Sequence, residues 1–241
     1  MIHELVSETV QEKAYQMIRG SIVRNELLPG DSLSIDELSR KLGVSQTPIR
    51  EALSRLGAEG LVERPPNRTA IVSSIALEDI HQAYEMRKLL EPHAARQIAA
   101  SVETHPEIQA ALRTIKSSAD MIFNALPDAT ESLAPSHYAA CQEIDLRLQE
   151  LMVSALGDTL FGRVLALVGN YSLRMRSLSV LGLHSQDLET LRSILADHLA
   201  IIDALLAGDV REAVQTISVH LLSAEERTVD ASRRAEGVPG E

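Results

Sequence analysis

Apolar residues recur at helical spacing along most of the chain, and the stops between them divide it into a region of short helices followed by a region of long ones. Ser7 caps a first helix running to about Asn25, with Val10, Ala14, Met17, Ile18 and Ile22 as its apolar stripe, and Leu28-Pro29-Gly30 ends it in a turn. Ser34-x-x-Glu37 is a capping box, in which Ser oxygen and Glu carboxylate satisfy free backbone N–H groups reciprocally, and it starts a short helix through Leu42. Gly43 supplies the left-handed stop. Ser45 caps a third helix that tolerates Pro48, because first-turn N–H groups have no intrahelical partner, and Gly60 closes it. Two short helices joined by Gly43-Val44 make a helix-turn-helix. Residues 61–64 and 70–72 predict two strands of a hairpin around Pro65-Pro66-Asn67-Arg68, a wing with Arg68 at its tip.

From Ser74 onward no strand pattern occurs. The spacing predicts helices over about 77–101, kinked or broken at Pro92, then 106–126, 136–156, 159–182, 186–207 and 209–230. The expected fold is therefore mainly α: a winged helix-turn-helix domain over residues 1–75, an antiparallel helical bundle over 76–230, and a frayed tail over 231–241 that lacks an apolar face.

Charge changes the picture only after it is divided along the chain. The 241 residues carry a formal net charge of -11, which argues against nucleic acid as a partner. Residues 1–75, however, hold 9 Lys+Arg against 10 Asp+Glu, while residues 76–241 hold 14 against 24. Within 40–68, Arg40, Lys41, Arg50, Arg55, Arg64 and Arg68 outnumber Glu51, Glu59 and Glu63. A small basic patch on an acidic protein can still bind DNA. The single Cys141 excludes an internal disulfide and a paired-cysteine metal or redox motif. No apolar run approaches a membrane span, and the N-terminus lacks the basic-then-apolar order of a signal peptide, so a soluble cytoplasmic protein is expected.

In the third helix Ile49, Ala52, Leu53 and Leu56 form the inward face, leaving Gln46, Thr47, Arg50 and Ser54 outside. Such a short-chained, cationic helix start fits the major groove, where Arg and Gln fork onto base edges and free N–H groups favour phosphate. Ser45, Gln46, Thr47 and Arg50, with Arg40 and Arg68 beside them, are the expected DNA contacts. The stretch Ser45-Gln-Thr-Pro-Ile-Arg-Glu-Ala-Leu-Ser-Arg-Leu through Gly60-Leu-Val-Glu-Arg resembles the winged-helix domain of GntR-family bacterial transcription regulators, over about residues 8–73. The family usually has Arg where this chain has Gln46, and Gly where it has Thr69.

In the bundle the informative residues are polar ones on apolar stripes. Tyr138, Cys141, Asp145, Leu148 and Met152 share a face, with Gln149 one turn from Asp145; His198 lies among Leu191, Leu195, Ile202 and Leu205, and His220 among Ala213, Ile217 and Ala224. Three helices thus direct an Asp or a His toward one core. A buried unpaired carboxylate costs several kcal/mol, so these groups need one another, as a hydrogen-bonded network, or a cation. Carboxylate and imidazole are ordinary ligands of first-row divalent metals. Arg87 and Glu91 share a stripe with Ile80, Tyr84, Ala94 and Ile98, and fit either an i,i+4 ion pair or an Arg reaching a carboxylate ligand; Asn170 and Arg174 lie similarly in the next-but-two helix.

Leu191-Arg-Ser-Ile-Leu-Ala-Asp-His198, Ala204-Leu-Leu-Ala-Gly-Asp209 and His220-Leu221 look like the end of the FCD ligand-binding domain of the GntR family, and Arg87-Lys-Leu-Leu-Glu-Pro-His-Ala-Ala looks like its beginning. The resemblance covers about 77–225. It implies a divalent metal at Asp145, Gln149, His198 and His220, with Gln149 where many members have His, and the imidazoles favour zinc or nickel over magnesium. It also implies a small organic acid as effector, met by Arg87, Asn170 and Arg174, and a homodimer on a palindromic operator in double-stranded DNA, usually as a repressor. A metal-dependent enzyme built on the Asp/His cluster, or a winged helix that binds protein, are the alternatives. Against the enzyme, the chain has no HExxH, GxSxG, GxGxxG or P-loop, and no catalytic residue is expected.

Overall fold

The computed structural model describes residues 9–23, 26–66, 68–73, 77–127, 133–169 and 188–235. The chain divides into two compact units, Met1–Ile75 and Ala76–Glu241.

In the first unit α1 (Val10–Val23) packs on α3 (Gln46–Ala58), with α2 (Ile35–Leu42) beside α3. Ala14, Tyr15, Ile18 and Ile22 meet Ile49, Ala52, Leu53 and Leu56, all of them buried. Each large apolar side chain so enclosed contributes about 1.5–3 kcal/mol. The stripe of α1 is thus rotated from the expected one. Val10 and Met17 are more than half exposed, because Tyr15 takes the inward position and keeps its hydroxyl for Glu59 at 2.9 Å. Ser34 accepts from the Glu37 N–H at 3.4 Å to cap α2, and Gly43 ends it at φ 65°. Ser45 occupies the cap position of α3 without a side-chain cap bond.

The wing is a three-stranded antiparallel sheet in the order β1 (Ser32–Leu33), β3 (Ala70–Val72), β2 (Val62–Glu63). Its register pairs Leu33 with Ala70 and Val62 with Val72. The sequence pattern predicts only β2 and β3. Strand β1 is two residues long, too short for alternation to be seen, and is set by the turn before it: Gly30 at φ 88° donates to the Val72 carbonyl, and Val72 donates to that of Asp31, both at 2.9 Å.

The second unit is a helical bundle. Its elements are α4 (Leu77–Ser101), a 3-10 turn (Val102–Thr104), α5 (Pro106–Ala125), α6 (Pro135–Leu156), α7 (residues 160–169), α8 (Leu188–Leu206) and α9 (Val210–Ala235). Pro92 lies inside one continuous α4, so of the kink or break expected there the break does not occur. Ala94, Ala95 and Ile98, fully buried just beyond it, hold the helix to the core across the missing hydrogen bond. Tyr84 ties α4 to α9, its hydroxyl donating to the Ala224 carbonyl at 3.0 Å and lying 2.8 Å from Thr228 Oγ1. Gly208 at φ 68° ends α8, and Asp209 Oδ1 accepts from the Glu212 N–H to cap α9.

Helix α9 extends to Ala235, where a frayed tail from residue 231 is expected. Thr228, Val229, Ala231 and Ser232 are all buried, so small and hydroxylated side chains continue its inner face. Thr228 offsets its own polarity by donating to the Ala224 carbonyl at 2.7 Å. Among the described residues no helix is long and apolar enough to cross a membrane.

Candidate functional sites

The start of α3 presents Ser45, Gln46, Thr47 and Arg50 as exposed side chains, joined by exposed Arg40 from α2 and Arg68 from the wing. They are linked. Gln46 donates from Nε2 to Asp36 Oδ1 at 2.7 Å, and Arg50 donates from Nη2 to Gln46 Oε1 at 2.9 Å. Arg40 leans back on the Asp36 carbonyl at 3.4 Å. The Arg68 N–H closes the wing turn on the Pro65 carbonyl at 3.2 Å, leaving its side chain exposed. Arg55, counted above in the basic stretch, faces away from this group. It pairs with Glu12 at 2.8 Å and Glu59 at 3.3 Å and lies over the Tyr15 ring at 3.7 Å. Sequence reasoning missed Asp36; its signal is an acidic residue in the first turn of the helix that precedes a Gln-headed one.

The second constellation is buried in the bundle. Asp145 from α6, His198 from α8 and His220 from α9 each place a ligand atom within 4.8 Å of the others. Asp145 Oδ1 lies 3.7 Å from His198 Nε2, 3.9 Å from His220 Nε2 and 3.9 Å from Arg87 Nη2. These separations are too long for hydrogen bonds and leave room between the groups. Among the described residues, His198 Nδ1 and Nε2 and His220 Nδ1 are buried without a hydrogen-bond partner. Each such orphan costs about 1–3 kcal/mol. The donor set therefore fits a divalent ion, which would engage ring nitrogens and carboxylate together.

Asp197, next to His198 in sequence, reaches the other ring instead, with Oδ2 3.7 Å from His220 Nδ1. Sequence reasoning missed this residue too. Gln149 is buried one turn from Asp145, and a side chain at Gly169 of α7 would meet its amide at about 3.5 Å. Arg87 is buried and bound by Glu91 on the same helix, Nε to Oε1 at 2.6 Å and Nη2 to Oε2 at 3.4 Å, so the i,i+4 pair is present. Asn170 and Arg174 lie outside the described residues.

Residues 10–72 match the profile of "Bacterial regulatory proteins, gntR family" and residues 82–223 that of the FCD domain, more than half of the chain. The chain belongs to the GntR family. Relatives include the HTH-type transcriptional regulator BphR of Paraburkholderia xenovorans, 27% identical over 88% of this chain and 82% of that protein. The HTH-type transcriptional repressor RspR of Escherichia coli is 30% identical over 40% of this chain. The match spans half the length of an HTH-type regulator from Agrobacterium vitis and 42% of RspR. Two solved structures share the fold: a GntR transcriptional regulator from Rhodococcus sp. RHA1 (TM-score 0.72, 19% identity, 92% and 98% of the two chains) and E. coli McbR/YncC (0.68, 17%, 93% and 99%). The two profile matches make this chain a transcription regulator of the GntR/FCD type.

Within this FCD domain the electrostatics distinguish the two imidazoles. Burial holds His198 below the usual imidazole pKa, despite Asp145 beside it. Burial opposes charge on His220 as well, but Asp145 and Asp197 together outweigh it and hold its pKa above the usual value. Burial likewise disfavours charge on Arg87, and Glu91, Tyr84 and Asp145 more than offset it, so the guanidinium remains a cation. Burial, with Asp145 adding to it, pushes the Cys141 thiol up to about 12, which makes this cysteine a neutral core residue.

Proposed function

We propose that this protein is a repressor that binds a palindromic operator as a homodimer, and that a small organic acid bound at a divalent metal in the FCD domain releases it. DNA contact is assigned to Ser45, Gln46, Thr47 and Arg50, with Arg40 and Arg68 on phosphate. The observation that carries the sensing half is the convergence of Asp145, His198 and His220, whose ring nitrogens include three without a hydrogen-bond partner among the described residues.

Asp145, His198 and His220 would hold the ion, and imidazole favours zinc or nickel over magnesium. Gln149 offers only a neutral carbonyl oxygen where an imidazole would bind more tightly. When bound, the ion supplies a Lewis-acidic seat for a carboxylate. Arg87, clamped by Glu91 and 3.9 Å from Asp145, supplies a fixed cation on the acid's path, and Asn170 and Arg174 are assigned as further effector contacts. Release from DNA requires only that the effector bind two arrangements of the protein unequally.

Two further observations support the reading. RspR carries the name of a repressor. Leu89 on α4 and Val219 and Leu222 on α9 are more than half exposed, on a helix pair bridged by Lys88 and Glu225 at 3.0 Å, and a second copy would cover such side chains. The test is a gel shift on DNA flanking the protein's own gene, with zinc- or nickel-loaded protein and a series of mono-, di- and tricarboxylic acids. The reading expects a shift of dimer stoichiometry that at least one acid reverses, and that no acid reverses after chelation. A shift reversed equally well in the chelated protein overturns the metal-linked part, and no shift at all overturns the regulator's assigned DNA surface.

A further inference from the structure

Gln46 is the residue at the head of α3 with the richest hydrogen-bonding choice, because its amide offers an acceptor at one end and two donors at the other. Which end faces which neighbour is settled here by chemistry. A carboxylate can only accept, so the end at Asp36 is the NH2; a guanidinium can only donate, so the end at Arg50 is the oxygen. The amide is therefore held at both ends, by α2 on one side and by the next turn of α3 on the other.

We infer that Asp36 is a specificity-determining positioning residue, which turns the Gln46 amide nitrogen toward α2 so that Gln46 and Arg50 read DNA as one oxygen acceptor beside one guanidinium donor. The inference rests on the assignment of the α3 start as the base-reading surface. In helix-turn-helix docking the second helix enters the major groove while the first crosses the backbone. A nitrogen drawn to α2 is drawn off the base edges. A Gln free to fork onto adenine needs both ends, its oxygen on N6–H and its nitrogen on N7. Asp36 takes one of the two N–H groups, and with the nitrogen held at α2 the other is kept off N7, so the oxygen's remaining lone pair accepts from any exocyclic amino group in the groove. Adenine N6 and cytosine N4 both provide one; guanine and thymine present oxygen there and are rejected. Arg50 spends one of its five N–H donors on Gln46 and keeps the others for the O6 and N7 of a neighbouring guanine.

Asp36 is exposed and stands in the first turn of α2, where its charge suits the helix dipole, so removing it leaves the core untouched. The experiment is selection from random DNA with the full-length protein and three variants, each first checked for an unchanged circular dichroism melt. Wild type should return one position per half-site at which A and C are enriched within about twofold of each other, beside a fixed G. In D36A the freed amide forks onto adenine, and A should exceed C by roughly tenfold. D36N keeps an acceptor oxygen for the Gln46 nitrogen and should return the wild-type pattern, which separates positioning from charge. Q46A should lose selectivity at that position altogether. If D36A returns the wild-type frequencies while Q46A alters them, Asp36 does not position the amide and the inference falls, with the base-reading surface intact. If Q46A also leaves the site unchanged, the surface itself is misassigned and both fall.

Discussion

The two polar constellations of this protein lie at opposite extremes of burial, and the contrast explains why each calls for a different kind of partner. At the start of α3, Asp36, Gln46 and Arg50 are exposed and hydrogen-bonded to one another. Water can replace any of these bonds at little cost, so the chain of contacts stabilises the fold by little and orients what it presents. In the bundle, Asp145 lies 3.7–3.9 Å from His198 and His220, and among the described residues both ring nitrogens of His198 and Nδ1 of His220 are buried without a hydrogen-bond partner. There, unsatisfied groups cost several kcal/mol, and a second component that engages them returns that energy. On the proposed reading, the surface array reads a partner and the buried cluster holds a ligand.

The largest effect that can break this comparison belongs to the surface. Arg50→Ala removes one contact in each half-site, each of about 1–3 kcal/mol, so operator affinity should fall about 30-fold or more. The helical circular dichroism and melting temperature should stay nearly unchanged, because Arg50 packs against nothing in the core. Binding should also weaken steeply with salt. Unaltered affinity in a binding titration would move the reading surface elsewhere.

Gln46→Arg has a smaller, sharper consequence. A guanidinium prefers guanine O6 and N7, so the selected operator should shift toward G at one position per half-site, by roughly tenfold. The same site returned for both proteins would show that residue 46 reads no base.

The smallest effect lies at neither constellation and calibrates both. Burial opposes ionisation of Glu225, but its hydrogen bonds with His81 and Lys88 outweigh this and hold its pKa below the usual carboxylate value. A carboxyl depressed on folding adds stability above its unfolded pKa, near pH 4.5, and loses it as pH falls through the folded one. Glu225→Gln should therefore cost about 0.5–1 kcal/mol at neutral pH, as a partly exposed ion pair does, and less at an acid pH below the unfolded pKa. Melting curves at the two pH values test this; an equal loss at both would assign it to packing.

Most of the fold was legible because its punctuation is local. Ser34, Gly43, Gly60, Gly157, Gly208 and Asp209 mark helix ends by their own chemistry, and the stripes between them have a strong helical period. What escaped depends on partners distant in sequence. Strand β1 exists because Val72 pairs with the Gly30 turn. The inward turn of Tyr15 follows from Glu59. The last turns of α9 are held by small and hydroxylated residues that carry no hydrophobic signal. The candidate sites divide in the same way. Stripe analysis brings Asp145, His198 and His220 to one core, since each is apolar-flanked on its own helix. Asp36 and Asp197 act across helices and leave no periodic trace.

The central claim, that the buried cluster holds a ligand while the surface array reads DNA, meets its most direct test in one paired measurement. Protein purified without chelator is analysed for metal and for operator affinity, alongside the His198→Ala/His220→Ala variant. The account predicts close to one zinc or nickel ion per chain in the wild type, almost none in the variant, and the same operator affinity in both, with effector response lost only in the variant. Wild-type protein without metal whose response to an acid survives in the double variant would contradict it, and would leave Asp145, His198 and His220 as a core network with no part in sensing.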